Sequence, residues 1–292
     1  MSAGEPQTAL AIDVGGTKIL VALVRDGVVL ERNQVPTPRD GGGDAWCAAI
    51  VDAAAAWHGR YSVVGAAVTG GISDGRWYAV NPETLPVPEG FPLEATLSRM
   101  LGLPVRCTND AQAAGWGEYR RGAGQGHDMA FVTISTGIGG GLVLGGRLVS
   151  GITGLGGHVG LLPLATPDGS DAIENLCSGR WVARQADGRA EDARAVFSAA
   201  EAGESWAQAI LDLSMDRAAL VLRTVQWIVD PAVIVVGGGI GLVPSYFAGL
   251  RQRLTSGPHR TELRPALLGG DAGAIGAAEL AVRHSEMGTL HE

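Results

Sequence analysis

The sequence predicts an α/β fold in which one structural unit occurs twice, giving two lobes with a cleft between them. Apolar segments rich in Val, Ile and Ala alternate with segments of helical period, a pattern typical of α/β proteins. A strand, a glycine-rich turn and a hairpin follow one another from "AIDVGGTKILVAL" (residues 11–23) onward, and the same order returns in residues 128–151. Two copies of one unit indicate an internally duplicated chain.

The first copy begins with strands at 8–14, 19–24 and 27–35. The turn signal "RDG" between the second and third strands indicates a hairpin, so these strands should be antiparallel. Helical periodicity and buried apolar runs then alternate. They predict a helix at 44–58, a strand within "YSVVGAAVTG", a helix at 92–102, a strand at 104–108 and a helix at 111–121.

The second copy begins with the strand "DMAFVTIS" (128–135), which runs into a predicted glycine turn at 136–141. Two further strands in "LVLGGRLVSG" complete a meander like the first one. Beyond residue 175 the pattern is mostly helical, notably through 205–229. A strand at 232–240 and a helix at 273–284 complete the second half.

These elements divide the chain into two lobes. We expect the first lobe to span 1–115 and the second to span 116–275. The C-terminal helix, taken as 276–292, is expected to return to the first lobe.

Composition and charge limit the classes of function. The chain has 292 residues, of which 46% are hydrophobic and 18% charged, as in a globular protein. Its net charge of −8 argues against a surface built for nucleic acid or for an anionic membrane. The three cysteines follow no metal-ligand spacing, and the N-terminus carries no signal-peptide pattern. We therefore expect a cytoplasmic protein whose partners are small molecules, not nucleic acid or membranes.

Three glycine clusters, "DVGGTK", "STGIGGG" and "VVGGGIG", are candidate phosphate or nucleotide sites. Consecutive backbone N–H groups in such turns form a nest for phosphate oxygens, and glycine permits close approach. Asp13 in the first cluster could also hold Mg²⁺, directly or through water. Each cluster taken alone also fits a simple tight turn. The candidate residues are Asp13, Gly15, Gly16, Thr17, Lys18, Thr136, Gly137, Gly237, Gly238 and Gly239.

A polar pair, Asn109 and Asp110, follows the predicted strand at 104–108 and precedes a predicted helix. This position is the carboxyl end of a strand, where open α/β sheets bind their ligands. A carboxylate there can orient an alcohol and receive its proton. The structural alternative is that Asp110 caps the helix that follows, and the two roles are compatible.

The ordered motifs "DVGGTK", "TNDAQAAGWGE", "STGIGGGLVLGGRLVSG", "VVGGGI" and "GAIGAAELA" resemble those of the ROK family of sugar kinases, within the actin-like ATPase superfamily. The resemblance extends over residues 8–282. It implies a duplicated actin-like ATPase (ribonuclease H-like) fold, ATP and Mg²⁺ as cofactors, and a homodimer. It also implies that Asp110 is the general base and that Asn109 holds a neighbouring sugar hydroxyl.

The same resemblance assigns further residues to the sugar. Asn81 matches an asparagine that hydrogen-bonds sugar hydroxyls, although it also fits turn chemistry before Pro82. The pair Gly70 and Gly71 matches the preceding glycine turn, and Glu174 in "ENLCSGR" is expected near the anomeric end.

His158 is the residue that bears on the choice of sugar. The family's Gly-Glu-x-Gly-His stretch falls on "GHVGL" (157–161), so His158 stands where glucose-type kinases have Glu. A neutral imidazole both donates and accepts without burying a charge, which favours an N-acyl sugar. A three-residue shift of the alignment would instead make His158 the former zinc-ligand histidine and place Leu155 at the Glu position.

Zinc is not expected, because the position of the family's zinc-ligand histidine is Leu161 and the following loop has a single cysteine. The expected activity is ATP-dependent phosphorylation of the 6-hydroxyl of an amino sugar, with N-acetylmannosamine as the first choice. The alternatives are a glucokinase or another hexose or N-acetylhexosamine kinase and, more remotely, a non-catalytic sugar sensor.

Overall fold

The computed structural model describes residues 7–82, 84–167, 169–254 and 261–288. The elements of the first half follow the predicted order, with one additional short hairpin. They are β1 (Thr8–Val14), β2 (Lys18–Arg25), β3 (Val28–Pro36), α1 (Gly42–Ala54), β4 (Val63–Val68), β5 (Gly71–Ser73), β6 (Arg76–Tyr78), α2 (Leu93–Leu101) and β7 (Val105–Asn109).

The second half contains more helices than the first. Most of them lie between the third strand of its meander and the next strand of the same sheet. Its elements are α3 (Asp110–Arg121), β8 (Met129–Ile134), β9 (Ile138–Leu144), β10 (Arg147–Leu148), β11 (Pro163–Thr166), β12 (Gly169–Ala172), α4 (Glu174–Cys177), α5 (Gly179–Gln185), α6 (Ala193–Glu201), α7 (Ser205–Val229), β13 (Val233–Gly237), α8 (Pro244–Leu254), β14 (Glu262–Pro265) and α9 (Ala272–Gly288).

Two five-stranded sheets have the same topology. The strand order is β3-β2-β1-β4-β7 in the first sheet and β10-β9-β8-β13-β14 in the second. In each sheet the first three strands in chain order form an antiparallel meander, and the last two are added in parallel. The predicted internal duplication is therefore confirmed.

Alternate side chains of β1 pack into two different cores, as the period of a strand requires. Leu10 and Ile12 pack with Trp46 of α1 on one face. Ala9 and Ala11 pack against α9 on the other face. The small alanine side chains let a helix lie close to this face, next to the strand end that bears Asp13.

Helix α9 lies against β1, β2, β4 and β7 of the first sheet and crosses α3. Glycines permit these close approaches: a Cβ on Gly276 would collide with the carbonyl oxygen of Ala113, and one on Gly65 with that of Ala277. The lobe boundaries at 1–115 and 116–275 stay a prediction. Of the C-terminal segment assigned to the first lobe, residues 289–292 lie outside the described residues.

The predicted glycine turn at 136–141 is wrong in extent, because β9 already begins at Ile138. The three glycines at 139–141 are strand residues that face close neighbours. A Cβ on Gly139 would lie 2.8 Å from Cβ of Ala111, and one on Gly141 would lie 2.9 Å from Cα of Gln112. Glycine in this strand therefore lets the first turn of α3 lie directly against the second sheet.

Among the described residues, no helix combines the length and the apolar character needed to cross a bilayer.

Candidate active site

A cavity of about 450 Å³ is lined by residues from both halves of the chain, at the carboxyl ends of β1, β4, β7, β8 and β13. This is where open α/β sheets place their ligands. Most of the predicted site residues meet here. Those that line the cavity are Asp13, Gly70, Asn81, Asn109, Asp110, Thr136, Gly137, His158, Glu174, Gly237 and Gly238.

The remaining predicted residues, Gly15, Gly16, Thr17, Lys18, Gly71 and Gly239, are not part of the cavity wall. The N–H of Gly15 donates to the carbonyl oxygen of Lys18 over 3.0 Å, which closes the turn between β1 and β2. Gly16 is required by close packing, because a Cβ there would collide with the carbonyl oxygen of Thr84. This backbone fits the tight-turn interpretation, and phosphate binding by the turn stays a prediction.

Asn109, not Asp110, is the N-cap of α3, which corrects the structural alternative for Asp110. The Asn109 Oδ1 accepts from the N–H groups of Ala111 (3.0 Å) and Gln112 (3.2 Å). Its Nδ2 donates to the carbonyl oxygen of Gly70 and to Oδ1 of Asp110, both over 2.9 Å. Because every Asn109 donor and acceptor group is engaged, the side chain holds Asp110 in place. Its contact with a sugar hydroxyl stays a prediction.

The Asp110 carboxylate is anchored through one oxygen. Oδ1 accepts from Asn109 Nδ2 and from the N–H of Ala111 (2.8 Å), and the backbone N–H of Asp110 also donates to its own carboxylate, whereas no other described residue donates to Oδ2. Burial raises the pKa of Asp110, although these hydrogen bonds act to lower it, and the negative charge of Glu174 raises it further. An anchored carboxylate with a free oxygen and a raised pKa is suited to accept a proton from an alcohol.

Asp13 shares this negative environment. Burial, followed by the charge of Asp110, raises the pKa of Asp13 from 3.8 to about 6, while Lys18 acts in the opposite direction. Two carboxylates with raised pKa values indicate charge that the protein itself does not neutralise. Carboxylate oxygens of this kind are what Mg²⁺ prefers, with the other ligand positions filled by water and phosphate oxygens. The donor set therefore fits Mg²⁺.

Glu174 and Arg180 form an ion pair at the second glycine turn. Arg180 Nη2 donates to Glu174 Oε1 over 3.1 Å, and the N–H of Ile138 donates to Oε2 over 2.8 Å. The carboxylate lies directly against Gly137, where a Cβ would collide with Oε2. Arg180 is the one Lys or Arg among the described residues that line the cavity. The described cavity wall therefore contains one positively charged side chain and three carboxylates, those of Asp13, Asp110 and Glu174.

Arg180 was not predicted as a site residue, although it ends the motif "ENLCSGR". Its position after Ser178-Gly179, at the start of α5, was the available signal. The cavity also includes three threonines for which the sequence offered no motif: Thr69, Thr84 and Thr133.

His158 lines the cavity with an imidazole that makes no hydrogen bond of ordinary distance and angle to the described residues. Both ring nitrogens are buried, and neither has a partner among the described residues. Burial lowers the pKa of His158, and the nearby backbone carbonyl of Leu155 raises it by less, so the ring is neutral at neutral pH. Leu155, the residue that the shifted alignment would place at the sugar, is not part of the cavity wall. The unpartnered neutral ring is available to donate one hydrogen bond and accept another.

The described residues contain no group of three or more His, Cys, Asp or Glu side chains arranged to hold a metal ion. The expectation that zinc is not used stays a prediction.

Comparisons with known proteins agree with this geometry. Residues 9–284 match the sequence profile of the ROK family. The chain is 47% identical over 290 residues to a protein of Brucella melitensis named bifunctional enzyme NanE/NanK, a match covering 97% of this chain. It spans only 56% of the length of that relative. It is 38% identical over 286 residues to an N-acetylmannosamine kinase of Escherichia coli, covering 94% of this chain and 98% of that protein.

A solved structure extends the agreement to the fold. The ROK family glucokinase of Streptomyces griseus, in complex with glucose and AMPPNP, superposes with a TM-score of 0.79 at 31% identity. The match covers 94% of this chain and 99% of that one. The predicted α/β class with a duplicated, two-lobed actin-like ATPase fold is confirmed. The matched motifs, the cavity between the duplicated sheets and these relatives together show that the chain belongs to the ROK family.

Proposed function

We propose that this chain is an ATP-dependent kinase that transfers a phosphoryl group to the 6-hydroxyl of N-acetylmannosamine. The observation that carries the proposal is the Asp110 carboxylate, anchored through one oxygen and free at the other, in a cavity reached from both sheets. The name of the Escherichia coli relative supports N-acetylmannosamine as the sugar. The neutral, unpartnered His158 ring supports an N-acyl group independently.

In the proposed reaction the free Oδ2 of Asp110 accepts the proton of the 6-hydroxyl as the sugar oxygen bonds to the γ-phosphorus. The bond from that phosphorus to the bridging oxygen breaks, and ADP leaves with the electron pair. Asn109 holds the Asp110 carboxylate in orientation through Oδ1. Most of the acceleration in such a transfer comes from alignment of the reactants and from charge stabilisation.

The sugar would lie between Asn81, Gly70 and Gly71 on one side and His158 and Glu174 on the other. The Glu174 carboxylate is fixed by the N–H of Ile138 and by Arg180, so it can accept hydrogen bonds from sugar hydroxyls in one orientation. His158 would meet the acetamido group, donating to its carbonyl oxygen or accepting from its N–H.

The nucleotide would lie along the glycine turns. We propose Thr136 and Gly137, with Gly15 to Lys18, as the phosphate contacts, and Gly237 to Gly239 beside the adenosine. The solved glucokinase bound to AMPPNP supports ATP as the donor. Asp13 would hold Mg²⁺, in part through water, and the ion would offset the negative charge of the transferred phosphate.

Glucose is the second candidate substrate, because the related Streptomyces griseus enzyme is a glucokinase solved with glucose. His158 is the residue that distinguishes the two sugars. A glutamate at this position would accept a hydrogen bond from a hydroxyl but could not donate one to an amide carbonyl, whereas a neutral imidazole can do either.

A homodimer in the cytoplasm is part of the proposal. Exposed apolar side chains recur at a spacing of seven along one face of α7, at Leu213, Leu220 and Trp227. A stripe of this kind on a long helix supports pairing with a second copy.

A coupled ADP-release assay over a panel of hexoses and N-acetylhexosamines tests the proposal. We expect turnover with N-acetylmannosamine to exceed turnover with every other sugar. Asp110→Asn should abolish turnover while sugar binding, measured by calorimetry, is retained. No sugar-dependent ADP release by the unmodified protein would refute the kinase function.

A further inference from the structure

The segment 150–157, which immediately precedes His158, is a loop that depends on glycine. Gly151, Gly154 and Gly157 have φ values of 71°, 76° and 84°, in the left-handed region. The loop also presents Ile152 to solvent with 94% of its surface exposed. Glycine leaves a loop many alternative conformations, so contacts outside the loop must select one of them.

The loop packs against the backbones of Ile72 and Gly141, and a buried side-chain contact is added by the amide of Gln112. Its Nε2 donates to the carbonyl oxygens of Gly154 (3.2 Å) and Gly156 (2.7 Å). Its Oε1 accepts from the hydroxyl of Thr108 over 3.0 Å, which fixes the orientation of the amide. Gln112 is 1% exposed, so these hydrogen bonds form away from water and losing one would leave a buried polar group unpaired.

The same residue belongs to the turn of helix that presents the proposed base. The backbone N–H of Gln112 donates to Oδ1 of Asn109, the residue whose Nδ2 holds Asp110. The amide hydrogen bond to Gly156 lies two residues before His158 in the chain. Gln112 thus joins the first turn of α3 to the loop that ends at His158.

Another side-chain contact on this loop is peripheral. Ser73 Oγ donates to the carbonyl oxygen of Ile152 over 3.1 Å, at an exposed position. An exposed hydrogen bond competes with water, so it constrains the loop less than the buried amide does.

We propose that Gln112 is a positioning residue that sets the His158 imidazole at a fixed place relative to Asp110, and thereby determines affinity for the sugar. This inference rests on the proposed function. Gln112 would act on sugar affinity through the loop, without touching the sugar.

The test compares Gln112→Glu, Gln112→Met and the matched surface variant Gln208→Glu, whose amide donates an exposed hydrogen bond to the carbonyl oxygen of Ala200. In Gln112→Glu a carboxylate would face the carbonyl oxygens of Gly154 and Gly156, so both of these hydrogen bonds to the loop would be lost. We expect the KM for N-acetylmannosamine to rise about tenfold or more, and the KM for ATP to change less than about twofold. Gln208→Glu should leave both KM values unchanged.

Two further readouts separate positioning from general destabilisation. Lowering the pH from 8 to 6 should partly restore the sugar KM of Gln112→Glu, because the protonated carboxyl can again donate, whereas Gln112→Met should show no restoration. In a His158→Ala background, Gln112→Met should raise the sugar KM no further, because the two residues act through one contact.

The inference is overturned if the Gln112→Met effect is undiminished in the His158→Ala background, or if the KM for ATP rises as much as that for the sugar. Failure of the proposed function would look different, because the unmodified protein would then release no ADP with any sugar.

Discussion

Replacing Asp13 by asparagine should make the ligand-free protein more stable at neutral pH. The folded environment raises the pKa of Asp13 from 3.8 to about 6, mainly by burial and then by the charge of Asp110. At about 1.36 kcal/mol per pKa unit, this shift corresponds to a cost of about 3 kcal/mol for keeping the carboxylate ionised. Asparagine keeps the shape and removes the charge.

The sign follows from proton linkage. The folded protein holds the Asp13 proton more tightly than the unfolded chain, so the stability from this group is full below pH 3.8 and is lost as the pH rises through 6. Asp13→Asn should therefore raise the free energy of unfolding by about 3 kcal/mol above pH 7 and by about half of that at pH 5.

Urea unfolding at pH 5 and pH 8, without Mg²⁺ or nucleotide, measures this difference. Asp52→Asn, at an exposed position on α1, is the control and should leave the free energy of unfolding unchanged at both pH values. Asp13→Asn should also remove most Mg²⁺-dependent turnover. An Asp13→Asn protein equal to or less stable than the unmodified one at pH 8 would refute the electrostatic description of the site.

The remaining predictions concern activity and assembly. Arg180→Met should lower kcat/KM by about a hundredfold, because the cavity loses its positive side-chain charge. The control Arg184→Met, on the exposed side of α5, should have little effect. Equal effects of the two variants would contradict a catalytic contribution of the Arg180 charge. His158→Glu should shift the kcat/KM preference toward glucose, and an unchanged preference would remove the argument for an N-acyl group. Because only ionised Asp110 can accept the proton, a pH profile of kcat/KM should fall on the acidic side through its raised pKa, and a flat profile would count against it. Leu220→Lys should shift the mass measured by light scattering from dimer to monomer, whereas a dimer that persists would place the interface elsewhere.

Apolar runs and turn signals were sufficient to predict the five strands of the first sheet and four of the second, because the central strands are buried along nearly their whole length. The short edge strand β14, which is only partly buried, was not predicted. The glycines at 139–141 were misread as a turn, since sequence alone cannot distinguish a glycine that bends the chain from one that admits a neighbouring helix. Contact with Ala111 and Gln112 of α3 decides the matter, and these contacts are distant in the chain.

The candidate site was predicted where local motifs carry the chemistry, as in Asp13, Asn109 and Asp110. Residues that act through long-range geometry were missed. Gln112 reads as an ordinary helix residue until the fold places the carbonyls of Gly154 and Gly156 against its amide, more than forty positions along the chain. Arg180 reads as an ordinary cation until the fold places it in the cavity wall beside Gly137.

The central claim is that this site phosphorylates N-acetylmannosamine at its 6-hydroxyl. The most direct measurement is the ratio of kcat/KM for N-acetylmannosamine to that for glucose, with the position of the new phosphate determined by NMR of the product. We expect a ratio well above one and a phosphate on oxygen 6. A ratio of one or less, or a phosphate on another oxygen, would contradict the claim.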